Sequence, residues 1–182
     1  MKQGSLKMMI SIAKQIDHDT GAFTLIESNN KALDLCMAPG GIMSYILKRQ
    51  PRVAADAITL PSSQGGHDVL FKPSRNDGQL NRPHADLTMF ASELGVNAIP
   101  SNHPEAAELG AEWPFTTFAY DLILCDGQNL RTHRLLDYRR GKQQARLFNA
   151  PRIIDLRRVR PGGTFVVLLH RADMWRVFTL VK

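Results

Sequence analysis

The chain has 182 residues, 43% hydrophobic and 22% charged, with a formal net charge of +6 at pH 7. That is ordinary globular composition with enough apolar material for one sizeable core, which excludes a disordered or fibrous chain. No apolar run has the length a bilayer requires, and the amino terminus, with polar residues between Lys2 and Lys7, lacks a secretory apolar core, so the expectation is an intracellular protein of cytoplasm or nucleus with no membrane partner.

Leu6, Met9, Ile10, Ala13 and Ile16 recur at helical spacing and leave Lys7, Ser11 and Lys14 on a polar face, which predicts an amphipathic helix. A strand over 32–37 then runs into Pro39-Gly40-Gly41 and a helix over 42–48. Gly40 and Gly41 lack a Cβ, so the backbone there can turn sharply and admit a ligand closely, while Pro39 stiffens the entry. The helix beyond would aim unpaired N–H groups at that ligand. Doubly wound proteins hold nucleotide-like ligands at such a junction, although an ordinary turn needs the same residues. The adjacent glycines do not make the Gly-x-Gly-x-x-Gly fingerprint, which disfavours a nicotinamide dehydrogenase, and Ile42 and Met43 stand where a phosphate loop needs Lys and Ser or Thr.

Val53 to Leu60 offers a second strand, stopped by Pro61. The Gly, Ser, Pro and Asn content of residues 61–84 reads as a long loop with an extended piece at 69–72, followed by a short helix over 87–94. The apolar run Asp121-Leu-Ile-Leu-Cys125 ends at Asp126-Gly127, placing a carboxylate at the carboxyl end of a buried strand, the edge where open parallel sheets bind ligands. Residues 143–159 read as helical, with Pro151 at a break or at the start of a new helix. Pro161-Gly162-Gly163 turns the chain into a last strand over 164–169. Continuous apolar character in the last two strands predicts a mostly parallel sheet covered on both faces, hence a doubly wound α/β domain.

Cys36 and Cys125 each lie in an apolar run and read as reduced, buried thiols without metal-site spacing, so no metal is expected. Ten basic residues between Arg131 and Arg160, among them Arg134, Arg139, Arg152 and Arg158, are opposed locally only by Asp137 and Asp155. That stretch is a plausible footprint for a polyanion such as RNA, or else a solvated helix face.

The segments Asp34-Leu-Cys-Met-Ala-Pro-Gly-Gly41, Tyr120-Asp-Leu-Ile-Leu-Cys-Asp-Gly127 and Arg160-Pro-Gly-Gly-Thr-Phe-Val-Val167, in this order and spacing, carry a resemblance to FtsJ-like S-adenosylmethionine-dependent RNA ribose 2′-O-methyltransferases, the fungal members being most similar. Ile58-Thr-Leu-Pro61, Gly65-Gly66-His67 and Asp86-Leu-Thr-Met89 extend it over nearly the whole chain. The resemblance implies a single Rossmann-like domain of the class I methyltransferase type over 1–182, truncated at its carboxyl end and lacking the last strands or replacing them with the tail Asp173 to Lys182. It places Ala38, Pro39 and Gly40 beside the methionine part of S-adenosylmethionine, with Gly41 and Ile42 just beyond, Asp86 near the adenine and Asp126 beside the methyl donor. Asp86 also reads as a helix cap and Asp126 as a turn carboxylate. The second strand departs from the pattern, with Ile58 and Thr59 where a ribose-binding acid is expected and Asp56 slightly earlier.

For catalysis the resemblance implies a lysine-aspartate-lysine-glutamate set, because an alcohol is a poor nucleophile until a lysine of depressed pKa helps remove its proton. Lys7 matches the first lysine, although it also reads as an exposed helix residue, and Asp126 matches the aspartate. Leu168 stands at the central lysine, with His170 and Arg171 close by, and the glutamate would lie beyond residue 182. The expected function is therefore methyl transfer to RNA ribose, weak or absent. The alternative is a catalytically dead RNA-binding module on the same fold.

Overall fold

The computed structural model describes residues 2–25, 30–127 and 136–169. Within them, β1 (Lys31–Asp34), β2 (Ala54–Ala57), β3 (Gln79–Asn81), β4 (Tyr120–Cys125) and β5 (Val159–Val167) form one sheet in the order β3-β2-β1-β4-β5. Every neighbouring pair is parallel. The chain steps outward from β1 to β3 and then returns across β1 to β4, so the strand order reverses between β1 and β4, the position at which such sheets open a ligand crevice.

Side chains alternate across the sheet with period two, and both faces are buried. On one side Ala32, Ala55, Ala57, Leu122 and Leu124 pack with the helices α1 (Lys2–Thr20) and α2 (Gly41–Arg49), which supply Ala13, Met43 and Ile46. On the other, Leu33, Tyr120 and Ile123 pack with Phe90, Phe115 and Ile154, the last from α5 (Gln143–Arg158). The one-turn helices α3 (Ala106–Leu109) and α4 (Asp137–Arg140) lie in the connections before β4 and before α5. The Rossmann-like, doubly wound α/β architecture is as the apolar runs indicate.

Several elements differ from expectation for identifiable reasons. β3 falls inside the stretch read as loop, because a three-residue edge strand of Gln, Leu and Asn has no apolar run to reveal it. The piece at 69–72 is not a strand; Leu70 N–H donates to Pro39 C=O at 3.0 Å and Phe71 is buried beneath the glycine bend. The segment 87–94 forms two 3-10 turns rather than one helix. Pro151 does not interrupt α5, which runs through it. β5 begins before the Pro-Gly-Gly sequence: Tyr120 is opposite Val159 and Leu122 opposite Thr164, so Pro161 to Gly163 bulge out of register with Gly162 at a φ of 78°.

Candidate active site

After β1 the backbone keeps pairing for a few residues beyond the strand proper. Leu35 N–H donates to Leu124 C=O and Met37 N–H to Ile58 C=O, both at 3.1 Å, while Cys36 N–H donates to the Asp34 carboxylate at 3.1 Å. These bonds hold the bend Ala38-Pro39-Gly40 against the ends of β2 and β4. The two glycines serve different ends. Gly40 has a φ of 97°, which L side chains rarely adopt, and makes the turn itself. Gly41 admits not a ligand but α1: a Cβ there would lie 2.5 Å from Met9 Cβ and 2.8 Å from the Leu6 carbonyl oxygen.

A cavity of about 640 Å³ opens at the carboxyl edge of the sheet, within the range usual for small-molecule sites. Its floor is Leu35, Cys36, Ala38 and Pro39 after β1, Thr59 and Leu60 after β2, and Asp126 after β4. α1 contributes Ser5, Met8 and Met9; Ala85 to Leu87, Met89 and Glu105 form another side; and Arg139, Gln143 and Leu147 close the wall from α4 and α5. Behind the bend lies a pocket of about 10 Å³, large enough for roughly one water, lined by Asp34, Gly41, Ile42, Asp126 and Leu168 among others.

The structure thus brings Ala38, Pro39, Asp86 and Asp126 onto one cavity. Gly41 and Ile42 line the small pocket instead, and buried Gly40 lines neither. Lys7 is exposed and lines neither. At about 100° per residue it falls roughly 160° around α1 from Ser5 and Met9, which line the cavity. Leu168 lies in the small pocket with Asp126, so an apolar side chain occupies the place beside that carboxylate. His170, Arg171 and the tail 173–182 lie outside the described residues, as do Arg131 and Arg134.

Asp86 acts as a cap and as cavity wall together. Its Oδ1 accepts from the Thr88 N–H at 2.9 Å and the Thr88 hydroxyl at 2.7 Å, and its Oδ2 pairs with Arg139 at 2.7 Å. Arg139, only 4% exposed, also pairs with Glu105 at 3.1 Å. Sequence reasoning missed Arg139, Glu105 and Gln143 as cavity residues. Arg139 sat unmarked among ten cations, and nothing local distinguishes an arginine that turns inward from one that faces water.

Among the described residues of the basic stretch, several cations turn inward or pair with acids. Arg139, Arg152 and Arg158 are buried, and Arg158 pairs with Glu93 at 2.5 Å. Arg157 lies 4.0 Å from Glu93, Arg140 pairs with Asp137 at 3.2 Å and Arg160 with Asp121. Acids brought from distant parts of the chain neutralise a field that reads as unopposed along the sequence.

Beneath the cavity floor lie buried Asp34, Asp155 and Cys125, with the half-buried Cys36 in the floor itself. Burial raises the Asp34 carboxyl to about 7, helped by the nearby Asp126 charge and opposed by the Cys36 N–H. Burial likewise lifts Asp155, from α5, to about 8. Both thiols are pushed upward: burial dominates for Cys36 and for Cys125, with Asp155 adding to the effect on the latter. Cys125 is thus a buried thiol, as its apolar run suggests, whereas Cys36 is only half-buried and lines the cavity.

A family model, FtsJ-like methyltransferase, matches residues 13–179. Similar solved structures include a glycopeptide N-methyltransferase complexed with sinefungin (12% identity, TM-score 0.44), spanning 91% of this chain and 52% of its own. A calicheamicin-biosynthesis methyltransferase in its SAH-bound form (11%, TM-score 0.45) spans 99% and 41%, and human methyltransferase-like protein 13 in complex with SAH (16%, TM-score 0.38) spans 91% and 63%. The chain therefore covers about half the length of these structures. No curated protein sequence matches it. The family match runs from α1 past β5, through the bend at 38–41 and Asp126, and the chain belongs to the FtsJ-like methyltransferase family.

Proposed function

We propose that this protein is an S-adenosylmethionine-dependent methyltransferase acting on ribose 2′-hydroxyls of RNA, with slow turnover. The observation that carries the reading is that the Ala38-Pro39 bend and Asp126 share one cavity at the switch point between β1 and β4. The residues present fit the donor: the volume suffices, the walls are largely apolar, and a few buried polar side chains face a ligand of mixed character. Ala38 and Pro39 would hold its amino-acid half, and the side formed by Asp86, Leu87 and Met89 its base. When bound, S-adenosylmethionine supplies an electrophilic methyl group on a sulfonium.

The chain's own contribution is positioning. Asp126, at the rim common to the cavity and the small pocket, offers an acceptor to the O–H of an incoming ribose. Among the described residues no lysine lines either cavity; Leu168 occupies the place beside Asp126 and Lys7 points elsewhere. The proton therefore leaves without the matched lysine base that the resemblance implies, which makes the reaction slow. The net charge of +6 suits a polyanionic substrate, although exposed cations rather than the buried arginines would meet it. Leu168 also favours a second reading, an RNA-binding module of methyltransferase fold that does not turn over.

Calorimetric titration with S-adenosylmethionine, followed by methyl transfer to capped and uncapped RNA, separates the two. Cofactor binding with turnover is the expected result; RNA affinity without cofactor uptake would establish the module. Leu168→Lys should raise the transfer rate, and cofactor binding with no gain in that variant would count against Leu168 as the missing base position.

A further inference from the structure

The small pocket behind the bend joins two carboxylates. Asp34 closes β1 opposite Leu124, and Asp126 follows Leu124 by two residues, so the alternation along the strands sets both side chains toward the same side of the sheet. Both line the pocket of about 10 Å³, with Ile42, Val166 and Leu168 as apolar wall, and Asp126 lines the large cavity as well. The volume takes roughly one water, and two carboxyl groups give that water polar partners. Asp126 thus links the cavity to an acid that substrate cannot touch, since Asp34 is 5% exposed.

A lone carboxylate is a weak base for an alcohol proton at neutral pH, whereas two that face one water share a proton and titrate as a pair, one member well above the ordinary range. Asp34 has the setting of that upper member. Burial, helped by the Asp126 charge, raises its carboxyl to about 7, against the Cys36 N–H that donates to Oδ1 at 3.1 Å. The other titratable groups around it are Cys36 on the same segment, Cys125 from β4, and Asp155 from α5 with Arg152 near it. Burial pushes both thiols upward and lifts Asp155 to about 8, so around neutrality these three are largely uncharged and Asp126 supplies the charge that Asp34 meets.

We propose that Asp34 and Asp126 act as a one-proton pair that takes the ribose proton where a lysine is missing. The 2′-oxygen bonds to the methyl carbon as the carbon–sulfur bond breaks and leaves its electron pair on sulfur. The hydroxyl proton passes to Asp126 and, through a water in the small pocket, to Asp34. Asp126 is the member that touches substrate and Asp34 acts through it; the assignment rests on the ribose methyl-transfer reading.

One test needs no cofactor. In the cofactor-free whole chain, carbon-13 titration of the aspartate carboxyls should show a midpoint near pH 7 that is lost in Asp34→Asn. Asp126→Asn should lower that midpoint by about one pH unit, the size of coupling expected of an interacting pair. The second test is single-turnover methyl transfer to RNA. The wild-type rate should rise as pH passes about 7, and Asp34→Asn should lose that limb and run about tenfold or more slower above it. The amide of this variant still accepts from the Cys36 N–H, and a purely structural part for Asp34 would lower the rate evenly at all pH values. Should Asp34→Asn fail to fold, the Asp126→Asn titration decides. The pair is overturned if no carboxyl titrates near neutrality, if the midpoint is the same in Asp126→Asn, or if the pH limb persists in Asp34→Asn. Coupled carboxyls in a wild type that methylates no RNA are a different result, which removes the methyl-transfer reading and with it the pair's part as base.

Discussion

Gly41→Ala distinguishes a glycine that makes room for a helix from one that makes room for a ligand. An alanine Cβ at 41 would meet Met9 Cβ at 2.5 Å, the Leu6 carbonyl oxygen at 2.8 Å and the Ile10 amide nitrogen at 3.0 Å. Two of the three are backbone atoms of α1, so no rotamer change relieves them. Ordinary contacts of this kind lie near 3.5–4.0 Å, so α1 must retreat by about 1 Å along much of its first half. Overpacking of this type costs about 1–3 kcal/mol, and contact with backbone places this site toward the upper end. In a chain of this size that lowers the melting temperature by roughly 2–4 °C for each kcal/mol. Urea unfolding of the cofactor-free protein, followed by far-ultraviolet circular dichroism, should show a lower midpoint at unchanged slope. Cofactor affinity should fall as well, because Ser5, Met8 and Met9 travel with the helix. Met9→Ala in the same background should not restore stability, since it leaves the offending Cβ in place. If Gly41→Ala left the cofactor-free stability unchanged and weakened only ligand binding, the packing argument would be wrong.

Arg139→Met leaves the part-buried carboxylates of Asp86 and Glu105 without their cation. It should cost about 3 kcal/mol, measured by urea unfolding, and an unchanged midpoint would refute the pairing as a stabilising one. Gly127→Ala would set a Cβ 2.8 Å from the Leu147 carbonyl oxygen, which Pro151 leaves without its helical N–H donor; both stability and methyl transfer should fall, because the shift moves the neighbouring Asp126. Asp155→Asn tests the buried acids. Its carboxyl, raised from 3.8 to about 8, is protonated in the fold at pH values where the unfolded chain ionises it, so the stability it contributes is complete below about pH 4 and lost as pH rises to about 8. Replacing it with a neutral amide should flatten that part of the pH–stability profile and stabilise the protein at pH 8.5; an unchanged profile would refute the assignment.

The strands that build the site were legible because burial on both faces leaves a plain mark. β1, β4 and the end of β5 lie in short apolar runs, and the first two run out at charged residues, Asp34 and Asp126. The same physics hid β3, an edge strand whose polar residues carry no such run. Pro151 suggests a break or the start of a new helix because a proline removes one helical donor, yet its buried ring packs where Gly127 leaves space, and that contact is made across the fold. Lys7 and Arg139 show the same limit from opposite directions. Matching a motif position, Lys7 faces away because the helix phase is set by Gly41 and the core. Looking like part of a solvated charge run, Arg139 is drawn inward by Asp86 and Glu105, acids separated from it by tens of residues.

What remains at the reaction centre decides how fast such a site can run. Proximity and orientation can supply up to roughly 7–11 kcal/mol of a barrier when a cavity holds both reactants in line, and the floor after β1, β2 and β4 is rigid enough for that, since it is pinned by backbone hydrogen bonds from Leu35, Met37 and Leu70. A matched general base adds only about 10²–10⁴ in rate. On the proposed ribose methyl-transfer reading, Leu168 in the pocket beside Asp126 takes away the smaller of the two contributions and leaves the larger in place. An alcohol attacking a sulfonium methyl needs no proton removed before bond formation begins, so on the proposed reading the absent lysine would set the pace of methyl transfer rather than its possibility.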